Sequence, residues 1–90
     1  MGGYELLIKP SAVEEIERIS GKANRRRVVG RIQDLANDPR PKGCRKLVGR
    51  ERYRVRQGAC RIVNAVDDLE RTVLIVKVGR RGDVYRRGPE

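Results

Sequence analysis

The chain predicts an α+β fold: an antiparallel β-sheet of three to five strands covered by an N-terminal α-helical hairpin, in the order β-α-α-β-β-β. Three observations point there. Apolar residues at helical spacing occur only before Asn37, whereas alternating and β-branched runs gather after Arg52. Two short turns, Gln57-Gly58-Ala59 and Asp67 to Arg71, join the later runs as neighbouring antiparallel strands. Ninety residues also suit one domain, residues 1–90, with little room for a second core.

Taken in order, Tyr4 to Lys9 reads as a first strand that Pro10 breaks. Ser11 is placed to cap a helix, with Glu14 three residues later completing a capping box. Glu14, Glu15 and Glu17 crowd the first turns, where the helix dipole favours them, and Val13, Ile16 and Ile19 form an apolar stripe over residues 11–20. A second helix is expected over 25–37, with Val28, Val29, Ile32, Leu35 and Ala36 on one face and Asn37-Asp38-Pro39 as its stop. Arg25, Arg26, Arg27 and Arg31 lie near its start, where cations oppose the dipole, so they are solvated or held by a partner. A short extended piece, Lys46-Leu47-Val48-Gly49, leads to strands at 52–56, 61–66 and 72–78, the last continuous and β-branched as in a largely buried strand.

Charge is the strongest compositional signal. The net charge is +10, and the 22 basic residues comprise 17 arginines and 5 lysines. From Arg45 to Arg87 there are 13 basic and 5 acidic residues, a net of +8. The guanidinium fork matches phosphate oxygens and stays protonated at any working pH, so phosphate recognition is the leading expectation. A membrane partner is not expected, because no apolar run approaches ~18 residues and no helix joins a basic face to a large apolar one. The start Met1-Gly2-Gly3-Tyr4 carries no secretory pattern, so a cytoplasmic protein with reduced Cys44 and Cys60 is expected. Two cysteines without histidine make no ordinary zinc site, and the lack of histidine removes the usual general base. Neither a metal nor a cofactor is expected.

In Arg52-Tyr53-Arg54-Val55-Arg56, period-2 alternation sends Tyr53 and Val55 to one face and three arginines to the other. Like charges in one row repel, and an anion would relieve them. Arg61 opens the next strand, Arg80 and Arg81 follow the last, and Tyr85 comes just after, so antiparallel pairing can gather Arg54, Arg56, Arg61, Arg81 and Tyr85 into one patch. Tyr53 shares a face with Val55 and is expected in the core, as is Cys60, which is out of phase with Arg61.

The phrases Lys46-Leu47-Val48-Gly49, Tyr53-Arg54-Val55-Arg56, Arg61-Ile62-Val63 and Val78-Gly79-Arg80-Arg81-Gly82-Asp83-Val84-Tyr85, in this order and at this length, resemble the RelE/ParE superfamily of bacterial and archaeal toxins. The resemblance covers nearly the whole chain. It implies the toxin of a type II toxin–antitoxin pair, and on the RelE-like branch a metal-independent endoribonuclease that cuts messenger RNA in the ribosomal A site. There the ribose 2′-hydroxyl attacks the adjacent phosphate. On the ParE-like branch the implied target is DNA gyrase, with no nuclease activity; a non-catalytic RNA-binding module is a third reading.

Carried over by position, the resemblance implies catalytic roles for Arg54, Arg56, Arg61, Arg81 and Tyr85. Arg61 and Arg81 would clamp phosphate oxygens, and Tyr85 would stack on the substrate and share in proton transfer. Lys46, Arg50, Arg52 and Arg80 are the expected RNA contacts. The implied partners are an acidic, RelB-like antitoxin and the 30S A site with its ribosomal and messenger RNA. Two departures stand out: arginine at 54 and 56, where lysine is common, and Gly58-Ala59-Cys60-Arg61, where relatives often read Gly-Asp-Tyr-Arg. With a pKa near or above ~12.5, arginine is a poor general base, which shifts that role towards Tyr85.

Overall fold

The computed structural model describes residues 3–47 and 52–80. Its elements are β1 (Glu5–Ile8), α1 (Pro10–Glu17), α2 (Lys22–Asp34), β2 (Arg45–Lys46), β3 (Arg52–Gln57), β4 (Cys60–Asp67) and β5 (Thr72–Arg80). The five strands form one sheet in the order β1-β5-β4-β3-β2. The expected α+β class and the order of elements hold. An all-antiparallel sheet does not: β1 pairs with β5 in parallel, Glu5 beside Thr72 through Ile8 beside Ile75. The helical hairpin provides the crossover that a parallel pair requires.

Helix α1 begins at Pro10, not Ser11. Proline at the first helical position lacks the N–H that would go unsatisfied there, and its fixed φ suits the helix. Lys9 is therefore the N-cap, no side chain caps the helix, and the Ser11–Glu14 capping box does not form. Helix α2 starts earlier than expected, at Lys22, after Gly21 turns the chain with φ of 90°.

The helices cover one face of the sheet. Ala12 and Ile16 of α1, Val28 and Ile32 of α2 and Leu35 at its C-cap pack with Val55, Cys60, Ile62, Val73, Ile75 and Val78 into the core. In β5 the buried side chains run Val73, Ile75, Val78, a change of phase. A bulge causes it: Val63 lies opposite Lys77 while Asn64 lies opposite Ile75. Strict alternation would have turned Lys77 into the core; the extra residue presents Val78 instead.

Beyond Ile75, no strand among the described residues lies beside β5 on the β1 side, because β1 ends and the chain turns into α1. Glu15 of α1 fills that edge. Its Oε1 accepts a 2.8 Å hydrogen bond from the Val78 amide, and its Oε2 lies 3.5 Å from Lys77 Nζ. A carboxylate thus satisfies a strand N–H that pairing would otherwise have used.

The opposite end of the sheet is tied by a polar cluster. The Arg40 guanidinium grips Asp68 with two hydrogen bonds, Nη2 to Oδ2 at 2.8 Å and Nη1 to Oδ1 at 3.2 Å. Arg40 Nε donates to the Tyr53 hydroxyl at 2.9 Å, and the Tyr4 hydroxyl donates to Asp68 at 2.7 Å. These contacts join the chain start, the segment after α2, β3 and the β4–β5 hairpin. Asp68 is held below its ordinary pKa, first by the Arg40 hydrogen bonds and then by Tyr4. Arg40 is held more firmly protonated by the same Asp68 contact and by Tyr53.

Candidate nucleic-acid interface

The face of the sheet away from the helices carries the arginines. In β3, Tyr53 and Val55 are buried on the helix side, and Arg52, Arg54 and Arg56 alternate with them. Antiparallel pairing extends this face across neighbouring strands: Arg54 lies opposite Val63 and Arg56 opposite Arg61. Ile62, between Val63 and Arg61, is wholly buried in the helix-side core, which assigns Val63 and Arg61 to the other face, where they too are buried, at 6% and 7% exposed. Five arginines, at 45, 52, 54, 56 and 61, therefore share one face over three strands.

These side chains differ in burial. Arg56 is exposed, Arg52 and Arg54 are half-buried, and Arg61 is 7% exposed. Arg61 lies opposite Gly79 of β5, which brings no side chain of its own to that position. Two guanidinium groups on directly opposed positions, 56 and 61, repel each other. A row of phosphates along this face would relieve the repulsion and offer the bidentate geometry that arginine recognises.

Arg52, Arg54, Arg56 and Arg61 come together as anticipated from the alternation. Lys46 does not join them, because it pairs with Tyr53 and shares the helix-side phase. Its neighbour Arg45 pairs with Arg54 and takes that place. The sequence held a signal for it, since a strand beginning at Arg45 puts Arg45 and Lys46 on opposite faces, but a two-residue strand has too little pattern to set its register. Arg80, expected just after the last strand, is the last residue of β5 and pairs with Cys60. Arg50, Arg81 and Tyr85 lie outside the described residues.

On the helix side of the same sheet end is a cavity of about 430 Å³ between the α1–α2 connection and the β3–β4 turn, lined in part by Glu15, Arg18, Arg27, Gln57, Cys60 and Lys77. The sheet separates it from the arginine face. Cys44 and Cys60 are both free thiols, Cys60 buried as expected and Cys44 half-buried. Among the described residues no group of three or more His, Cys, Asp or Glu side chains is placed to hold a metal ion, and no helix is long and apolar enough to cross a membrane.

Comparison with known proteins gives a consistent result. The family model described as the ParE toxin of the type II toxin–antitoxin system, parDE, matches residues 6–85. No curated protein matches by sequence. Among solved structures, the chain is similar to one in the RelBE2 toxin–antitoxin complex of Mycobacterium tuberculosis, with 22% identity, a TM-score of 0.76, and 88% of this chain and 99% of that one covered. It is also similar to a chain in the archaeal RelE–RelB complex from Pyrococcus horikoshii, with 24% identity, a TM-score of 0.76 and coverage of 89% and 97%. For the isolated E. coli RelE toxin the values are 24%, 0.73, and 93% of each chain. At these identities the likeness to solved structures is one of fold.

Proposed function

Because the chain belongs to the ParE toxin family of type II toxin–antitoxin systems, we propose that its arginine face binds messenger RNA in the ribosomal A site and cleaves it without a metal ion. The observation that carries this reading is the five-arginine face, with Arg56 opposite Arg61 and Arg54 beside Arg45. A toxin acting only by protein contact has no need of that density of guanidinium on a sheet; a phosphate backbone does.

In the proposed reaction the 2′-oxygen attacks the adjacent phosphorus, the bond from phosphorus to the 5′-oxygen breaks, and a 2′,3′-cyclic phosphate and a 5′-hydroxyl result. The 2′-hydroxyl loses a proton and the leaving 5′-oxygen gains one. Arg54, Arg56 and Arg61 supply positive charge where the phosphorane develops negative charge, and Arg81 adds a second clamp on the phosphate oxygens. Holding the strand so that the 2′-oxygen lies in line with the scissile bond is the other large contribution. No arginine is suited to take the 2′ proton, so that role is assigned to Tyr85. Arg50, Arg52 and Arg80 contribute phosphate contacts that position the substrate without reading sequence. Lys46, on the helix-side phase, contacts ribosomal RNA apart from the cleavage face. The proposed partner is an acidic, RelB-like antitoxin encoded with the toxin, attracted to the same basic surface, and the proposed compartment is the cytoplasm.

Primer extension on messenger RNA from a reconstituted translation reaction tests this, with the native chain beside Arg61→Ala, Arg81→Ala and Tyr85→Phe. Ribosome-dependent cuts at discrete positions are expected from the native chain, fading in all three variants. Intact message at undiminished translation sinks the nuclease. One observation favours a second reading: the matched family model is that of the parDE toxin, and the implied target of a ParE-like toxin is DNA gyrase. A supercoiling assay separates the two, because a gyrase poison blocks supercoiling and leaves message whole.

A further inference from the structure

Helix α2 carries a second basic surface on the side of the molecule away from the arginine ladder. Its core face is Val28, Ile32 and Leu35. The opposite face, at spacing i, i+3, i+4, i+7, is Ala23, Arg26, Arg27 and Gly30. Arg26 and Arg27 are exposed, and neither makes an ion pair among the described residues.

Three features of this face oppose helix stability. First, α2 opens without a side-chain cap and without any acidic residue in its first turn, while Lys22, Arg25, Arg26 and Arg27 set cations against the positive end of the dipole. Secondly, Gly30 sits in the helix interior, where glycine is costly, and a Cβ built there meets nothing within 4 Å. Packing gives no reason for the glycine. Thirdly, no acidic residue lies three or four positions from Arg26 or Arg27 to offset their charge. Gly30 shares a face with Arg26 and Arg27, and that face suits close approach of a bulky polyanion, with small residues at 23 and 30 giving access and guanidinium groups between them.

The chemistry of the occupant follows from what the face lacks. None of the exposed large apolar residues, Leu7, Ile8, Val13 and Leu69, lies on α2. Protein interfaces are anchored by apolar and aromatic side chains at their centre, whereas a nucleic-acid backbone needs only charge and access. We propose that the outer face of α2, centred on Arg26, Arg27 and Gly30, docks the phosphate backbone of folded RNA, leaving the opposite sheet face for the strand to be cut. This goes beyond the nuclease reading and rests on it only in taking RNA as the target. The two faces, on opposite sides of the molecule, can engage two RNA segments at once.

The test is binding of the full chain to a fluorescein-labelled RNA stem-loop across a range of salt, for the native chain, Arg26→Gln/Arg27→Gln and Gly30→Glu. The double variant is expected to bind about 10-fold or more weakly at 0.1 M salt, with the slope of log affinity against log salt flattened by about 1.5, from roughly 0.7–0.9 per lost phosphate contact. Gly30→Glu is expected to melt at higher temperature yet bind more weakly, a combination that a purely structural role does not give. Affinity and slope unchanged in either variant overturn the proposal, and so does a native chain that fails to bind the stem-loop. Equal losses for the stem-loop and for polyglutamate overturn it in favour of an acidic protein partner. A native chain that binds the stem-loop but leaves messenger RNA intact sinks the nuclease reading and leaves this surface standing.

Discussion

Replacing Glu15 by alanine removes a single carboxylate from α1, yet its effect is expected at the far end of β5. Two contacts are lost, the 2.8 Å hydrogen bond from the Val78 amide and the 3.5 Å approach of Lys77 Nζ. A hydrogen bond to a charged group contributes about 1.5–3 kcal/mol, and an amide left unsatisfied in a buried place costs a similar amount. Val78 is 1% exposed, so water reaches its amide poorly; the Glu15 side chain is 24% exposed, so part of its interaction is already screened. A loss of about 2 kcal/mol is the balance, a fifth or more of the stability of a domain this size. At roughly 4–8 °C per kcal/mol, the melting temperature should fall by about 8–16 °C. Exchange of the Val78 amide should quicken about 30-fold through local opening, whereas core amides of β4 follow only the global change. Glu15→Gln keeps a neutral acceptor and should lose about half as much. A melting temperature within about 2 °C of the native value, with Val78 exchange unchanged in Glu15→Ala, would refute the view that this carboxylate completes the edge of β5.

Further expectations follow from the same geometry. Gly30→Ala should stabilise the fold by about 0.5–1 kcal/mol in thermal or urea unfolding, because a methyl group there meets only open space and alanine is the better helix former. Asp68 titrates below its ordinary value, so its contribution is complete above the unfolded pKa of about 3.9 and is lost as pH falls through the lower native value; stability should decline below about pH 4, and Asp68→Asn should remove that part of the decline in an acid titration followed by circular dichroism. Thiol titration of the native chain should modify half-buried Cys44 readily and Cys60, 8% exposed, only with unfolding; fast reaction of both would show that the core near the β3–β4 turn opens.

How far the sequence reaches depends on the range of the interaction. The faces of β3 were legible because alternation is local, and burial of Tyr53 and Val55 against three arginines follows from the spacing alone. Cys60 was legible for the same reason. The parallel β1–β5 pair was not, since a four-residue strand carries no mark of the partner it will find nearly seventy residues away. The capping box at Ser11 and Glu14 is a sound local signal that lost to a nearer one, proline at the first helical position. The bulge that turns Val78 inward reads in sequence as plain alternation, and only the register with β4 reveals the slip. At the candidate site the sequence grouped Arg52, Arg54, Arg56 and Arg61 correctly. Arg45 was not anticipated on this face, because a two-residue strand is placed by its neighbour, not by its own pattern.

The strand order has a consequence for biosynthesis. β5, synthesised last among the described strands, lies inside the sheet between β1 and β4. Until residues 72–80 have been made, β1 has no strand to join and Ala12 and Ile16 of α1 lack the apolar surface they cover in the finished fold. The β2–β4 meander can form by itself from local contacts, but the two parts of the arginine-bearing sheet meet only when the final strand is inserted. The arginines at 45, 52, 54, 56 and 61 all precede β5 in the chain, so their strands are made before the strand that ties them to β1. Insertion of β5 is thus the step that joins β1 to the meander and completes the sheet.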